Sequence, residues 1–309
     1  MLETMLSIRI TKGILKGTWA KQTTSGGPPT PRSQAGAAVA NGLIFTGYGW
    51  GSSSYIPRDW WSYNIASHVW TSLSVNDQPW SRSCGQIVTT LGPNYTADDS
   101  IYFLAGNGNG TFEAYSITGF YHTKDTWTTL TSGPPARYFA TMATIAGKIY
   151  LYGGQNNSGV GLIDFWVYDT SVGTWTQLTS GPPGGSLGAM AAVGNKLYYF
   201  GTAGDLWIYS TVSNTWQKIP IPTYGPSARY GQSVAAIGNL IYMFGGIVNG
   251  VASTELWAYD TVKNLWSLAT NTGPQAGYSG ALVTDGTKLY YLFGSSSAGP
   301  TSDVWCYTP

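Results

Sequence analysis

Apolar residues along this chain fall in short runs of four or five positions, not at helical spacing. A representative stretch begins with a small-residue run, Phe139-Ala140-Thr141-Met142-Ala143-Thr144-Ile145. A tight turn, Ala146-Gly147-Lys148, leads to an aromatic run, Ile149-Tyr150-Leu151-Tyr152, which stops at Gly153-Gly154. After a loop come Asp164-Phe165-Trp166-Val167-Tyr168-Asp169 and a closing run around Trp175. β-Branched and aromatic residues bounded by Gly, Pro, Asn and Ser are the mark of short strands between turns. The pattern predicts four antiparallel strands, here termed a, b, c and d.

The same order returns along the chain. Trp19, Trp70, Trp127, Trp175, Trp216 and Trp266 mark strand d at intervals of 51, 57, 48, 41 and 50 residues. Strand b reappears as Leu43-Ile44-Phe45, Ile101-Tyr102-Phe103, Leu197-Tyr198-Tyr199-Phe200, Ile241-Tyr242-Met243-Phe244 and Tyr290-Tyr291-Leu292-Phe293. Strand c reappears as Trp61-Ser62-Tyr63, Trp207-Ile208-Tyr209, Trp257-Ala258-Tyr259 and Trp305-Cys306-Tyr307, with Ala114-Tyr115 a degenerate copy. Diglycine after strand b, Tyr late in strand c and Trp in strand d, repeated at about 50 residues, resemble the kelch family over residues 17–309. The diglycine survives only as Gly153-Gly154 and Gly245-Gly246, against Tyr48-Gly49, Ala105-Gly106, Gly201-Thr202 and Gly294-Ser295 elsewhere. The resemblance implies an all-β, six-bladed β-propeller of four-stranded antiparallel blades.

The last unit ends at Tyr307-Thr308-Pro309 without a Trp strand, and Trp19 precedes every other element. A ring that must not leave an open edge would pair the two ends, so residues 18–23 are expected to form the outer strand of the blade made by 278–308. Residues 1–16 stand outside the repeats as an N-terminal arm. Its Ser7-Ile8-Arg9-Ile10-Thr11-Lys12 alternates like a strand able to dock on another subunit, while terminal disorder is the commoner outcome.

Of fourteen tryptophans, six belong to strand d and five to strand c, which leaves Trp50, Trp60 and Trp80 outside the repeat. In an a-b-c-d blade the b–c and d–a loops emerge on one face. Trp50, Trp60 and Trp80, with Tyr48 and Tyr55, are therefore expected to form an aromatic rim near blades 1 and 2, either as an interaction surface or as shielding for long loops. Arg32, Arg82, Arg137 and Arg229 head four of the a strands, with Gly185 and Gly277 near the other two. Asp59, Asp164, Asp205, Glu255 and Asp303 stand two residues before the strand c tryptophan. Repetition favours an architectural role for both sets. The kelch resemblance implies instead that the arginines touch a partner.

Chemistry beyond binding has little support in the residues. The kelch-like galactose oxidase holds copper with two Tyr and two His, whereas this chain has only His68 and His122, both placed in c–d turns. The resemblance to plant iron-dependent specifier proteins requires a Glu/Asp/His set that these histidines, on the wrong side, do not complete. Sialic-acid mutarotases use central Arg and carboxylate groups, which keeps a small-molecule enzyme of that type as the alternative. No metal or other cofactor is expected.

Only 9% of residues are charged, the net charge is +1, and no Lys/Arg block appears, so neither nucleic acid nor an anionic membrane is an expected partner. Cys84 and Cys306 lack metal-like spacing. The N-terminus has no apolar signal core and no run approaches a membrane span, which makes the cytoplasm the default. Three Asn-x-Ser/Thr sequons, at Asn94, Asn109 and Asn156, leave a cell-surface, secreted or virion setting open. The expectation is a non-enzymatic binding or scaffolding module that recognises a protein or glycan through its b–c/d–a face.

Overall fold

The computed structural model describes residues 17–51, 57–73, 86–90, 100–104, 112–116, 126–130, 133–275 and 277–309. Among these residues there is no helix, and the strands build six four-stranded antiparallel sheets with three two-stranded ribbons in the loops. Blade 1 runs Gly36–Ala40, Leu43–Gly47, Trp60–Asn64 and Val69–Ser72; blade 2 runs Gln86–Thr90, Ser100–Leu104, Phe112–Ser116 and Thr126–Thr129. Blade 3 holds Thr141–Ile145, Lys148–Tyr152, Phe165–Asp169 and Thr174–Leu178. Blade 4 holds Ala189–Val193, Lys196–Phe200, Leu206–Ser210 and Thr215–Ile219, and blade 5 holds Ser233–Ile237, Leu240–Phe244, Leu256–Asp260 and Leu265–Thr270. Blade 6 comprises Ala281–Thr284, Leu289–Leu292 and Val304–Thr308, with Thr18–Lys21 on its outer edge. The arrangement is a β-propeller.

Residue size follows position in the blade. The a strands, rich in Ala, Gly, Ser and Thr, neighbour one another from blade to blade, and Ala281–Thr284 in turn lies beside Gly36–Ala40. Small side chains let six strands approach one axis. The b strands are buried on both faces, which is why Ile, Leu, Tyr and Phe run through them without polar alternation. Strand d is the outer edge and holds only exposed and half-buried positions in blades 3 and 4.

Among the described residues, blades 1, 3, 4, 5 and 6 are each pinned by one cross-strand aromatic pair. Tyr63 faces Trp70, Tyr168 faces Trp175, Tyr209 faces Trp216, and Tyr259 faces Trp266. Their ring centroids stand 5.0, 5.2, 5.2 and 5.1 Å apart. Trp19 forms the same pair with Tyr307 at 5.2 Å, in the ladder Thr18↔Thr308 to Lys21↔Trp305. Such a pair adds about 0.5–1.5 kcal/mol beyond its area burial. At the end of that ladder Lys21 Nζ meets Asp303 Oδ1 at 2.8 Å, with both side chains partly exposed. Lys21→Ala should therefore cost no more than about 1 kcal/mol by chemical denaturation, and less as salt is raised.

Candidate functional site

The b–c/d–a face is organised by a clamp repeated in blades 1, 3 and 5. Arg32 donates to Asp59 through Nη1 at 2.6 Å and Nη2 at 2.7 Å; Arg137 does the same to Asp164 at 2.7 Å twice, and Arg229 Nη2 reaches Glu255 at 2.7 Å. The same guanidinium bonds the carbonyl just past strand b, that of Tyr48, Gly153 or Gly245, at 2.9–3.0 Å. Its Nε donates to the carbonyl two residues back, on Thr30, Pro135 or Ser227, at 3.0 Å. From the other side the strand c indoles of Trp61, Trp166 and Trp257 donate to the carboxylate at 2.8, 2.6 and 2.9 Å. One planar, five-donor side chain thus ties the entry to strand a, the end of strand b and the start of strand c.

Burial pushes the carboxyl pKa of Asp164 up, but hydrogen bonds from Arg137 and Trp166 outweigh it and hold the group below its ordinary value; Glu255 is held down likewise by Arg229 and Trp257. A carboxylate whose folded pKa lies below its unfolded pKa contributes stability that is complete above about pH 5 and is lost as pH falls through the carboxylate range. Thermal melts across that range should show the loss, and it should shrink in Arg137→Met, which removes the partner that lowers Asp164.

Blades 4 and 6 solve the same problem differently. Gly185 and Gly277 stand where the arginine would be, and the acids Asp205 and Asp303 instead meet a strand d lysine, Lys218 at 3.5 Å and Lys21 at 2.8 Å. A strand b tyrosine takes up the vacated room. The Tyr199 hydroxyl donates to Gly184 O at 2.7 Å, and the Tyr291 ring lies where side chains at Gly277 and Gly280 would begin. Gly188, at the position of Gly280, likewise admits the Tyr199 ring. Burial, and then the Asp205 charge, push the Tyr199 hydroxyl above the ordinary tyrosine range. Four positions change together: Arg to Gly, a residue before strand a to Gly, a strand b residue to Tyr, and a strand d residue to Lys.

The sequence-derived candidates separate on this frame. Trp50 is 40% exposed in the first b–c loop, where it pairs with Ser33. Trp60 is fully buried, which corrects its expected place on the rim. It opens strand c of blade 1, at the position of Phe165, Leu206, Leu256 and Val304, and meets the edge of Trp127 at 5.0 Å. The apolar residue before each strand c tryptophan was the signal for this placement. Tyr48 is also buried, stacked on Phe103 at 5.1 Å.

Tyr48 takes the first diglycine position with φ 58°, as Phe293 does in blade 6 with φ 61°, so Phe293-Gly294 is that blade's counterpart of Gly153-Gly154. Each gains interblade packing against Phe103 or Trp70 in return for a left-handed backbone worth about 1–2 kcal/mol. Arg32, Arg137 and Arg229 are buried in their clamps and so do not present free charges to a partner. Tyr55, Trp80, Arg82 and His122 lie outside the described residues, as does the arm 1–16.

At the axis, a cavity of about 210 Å³ is lined by the a strands and by Gln34, Phe139, Leu187, Gly231 and Ser279. Those five residues have positive φ, and successive N–H groups donate round the channel, from Ser279 to Gly231 O, Gly231 to Leu187 O, Leu187 to Phe139 O and Gln34 to Ser279 O. The described lining is uncharged, so the clamp arginines and acids do not converge there. Among the described residues no three His, Cys, Asp or Glu side chains gather as metal ligands, and no helix is long and apolar enough to cross a membrane.

A family model described as the KLHDC2/KLHL20/DRC7 Kelch-repeats domain matches residues 94–246 and 202–309. Among curated proteins, the chain is 32% identical over 111 residues to Tip elongation aberrant protein 1 of Schizosaccharomyces pombe, covering 34% of this chain and 10% of that protein. It is 27% identical over 160 residues to the N-(sulfonatooxy)prop-2-enimidothioate sulfolyase of Thlaspi arvense, covering 49% and 44%. It is 33% identical over 98 residues to the Rab9 effector protein with kelch motifs of Xenopus laevis, covering 30% and 27%. The matches span less than half of each of these relatives. With the family model running from residue 94 to the C-terminus over blades built on the strand b turn and the Tyr–Trp pair, the chain belongs to the kelch-repeat family.

Proposed function

We propose that the chain is a non-enzymatic binding or scaffolding module, a rigid six-bladed disc closed by its N-terminal strand, which recognises a protein or glycan through the b–c/d–a face, with residues 1–16 as a separate arm. The six sheets and the Thr18–Lys21 ladder support the disc. Kelch relatives such as the Rab9 effector protein support the binding role. The observation that carries it is the character of that face. The clamp charges are consumed internally, while Trp50, Val160, Ile163, Tyr224, Tyr230 and Val251 remain exposed in its loops. Exposed apolar surface set among satisfied polar groups suits a partner interface.

Trp50 and Trp80 are the binding candidates from the repeat-breaking set, with Tyr55 and Arg82 beside them in sequence. A pull-down and a glycan array should both be run on wild type and on Trp50→Ala/Trp80→Ala, leaving the structural Trp60 intact. Loss of partner with an unchanged melting temperature supports the rim; unaltered binding of every ligand removes it. The enzyme reading draws on the plant sulfolyase among the relatives. For the mutarotase type, the test is anomer exchange of sialic acid followed by NMR, and acceleration by this chain would reinstate that reading.

A further inference from the structure

We propose that blade 4 carries an anchor notch for an uncharged, apolar side chain of a partner protein, a refinement that rests on the protein-binding reading above. The b–c loop of blade 3 occupies residues 153–164 and that of blade 5 residues 245–255, but blade 4 turns back within 201–205. Gly201 N–H donates to Asp205 O at 2.9 Å and Gly204 N–H to Gly201 O at 3.2 Å, closing the turn. Where blade 3 bridges Tyr138 to Gln155 and blade 5 bridges Tyr230 to Ile247, the short turn of blade 4 has no equivalent bridge among the described residues. At its edge Gly184-Gly185 adds no side chain. The result is a depression of about 330 Å³ over blade 4, overlooked by its taller neighbours.

Ile163 forms one wall, Tyr230 another, and Leu187 and Gly184-Gly185 contribute to the lining, with Gln155, Ser186 and Thr202 as its polar groups. Ile163 and Tyr230 are 47% and 45% exposed, although both are large and apolar. The framework is fixed by backbone bonds: Gly154 N–H to Gly185 O at 2.8 Å, Gly181 N–H to Ile163 O at 2.8 Å, and Gly231 N–H to Leu187 O at 3.2 Å. A depression already held in shape spares a guest the cost of ordering it.

Charge selects the occupant. No charged side chain lines the notch, and around it blades 3, 4 and 5 hold the ion pairs Arg137–Asp164, Lys218–Asp205 and Arg229–Glu255. A charged guest would shed water and find no counter-ion, and a sugar would meet one aromatic ring with few hydrogen-bonding groups. A leucine, methionine or phenylalanine side chain on an extended segment satisfies the site, while Gln155, Ser186 and Thr202 remain for that segment's backbone.

The test selects phage-displayed random linear peptides on the full chain and measures the enriched synthetic peptides by fluorescence anisotropy. Variants Thr202→Trp, which fills the notch, and Ile163→Asp, which charges its wall, are compared with Val172→Asp on a c–d turn, all checked for wild-type melting. The expected result is a shared apolar position in the peptides and at least tenfold weaker binding to both notch variants, with Val172→Asp unchanged. Peptides that bind all variants equally overturn the notch and leave the protein-binding reading standing. Enrichment of no peptide overturns both. Notch-dependent peptides anchored by a charged residue, or displaced by simple methyl glycosides, overturn the assigned occupant.

Discussion

Arg137→Ala should lower stability by about 3–5 kcal/mol, a large part of what a domain possesses, because it leaves Asp164 and two carbonyls without the donor that satisfied them in a buried site. Chemical denaturation checks it. The sharper measurement is a graft. Arg137→Gly combined with Ala140→Gly, Leu151→Tyr and Gln177→Lys writes into blade 3 the set that blades 4 and 6 already use. The tyrosine restores packing, and the lysine moves the ion pair from a buried to an exposed donor, as Lys218 and Lys21 do with more than half of their side chains exposed. The graft should recover most of the loss from Arg137→Gly alone. If the fourfold variant is no more stable than the single one, blades 4 and 6 are held by features other than these four positions. Residues in one network do not act additively, so only the complete set is informative.

Trp60→Ala should cost about 3–5 kcal/mol, with no loss confined to binding. The ring is packed between Phe45, Tyr48 and Trp127, at the seam of blades 1 and 2. Removing it leaves a cavity that rigid strands cannot close. Trp60→Phe keeps part of the fill and should lose less, as the phenylalanine at the same position of blade 3 shows by example. Trp50→Ala, by contrast, should leave the unfolding free energy within about 0.5 kcal/mol of wild type, since that side chain is on the surface. The two tryptophans look alike in sequence and differ by their place in the strand.

The repeat was legible because packing demands it in every blade. A tryptophan opposite a strand c tyrosine must recur wherever two strands pair in that register, and the acid two residues before the strand c tryptophan recurs because its indole needs an acceptor. Arg32, Arg137 and Arg229 were visible as a set for the same reason, and their regular spacing already favoured architecture. What spacing could not supply was direction. Whether an arginine at the head of strand a turns inward or outward depends on an acid 26 or 27 residues away being brought within 2.7 Å.

Strand order, the family and the pairing expected of Trp19 were readable in the chain, because they follow from local propensity and from a pattern repeated at about 50 residues. Packing in three dimensions settles which aromatic residues are core, that the clamp charges are internally spent, and that exposed apolar side chains gather round a shortened turn in blade 4. Those outcomes depend on contacts between blades, where loop height and side-chain volume from different repeats meet, and no single repeat contains that information.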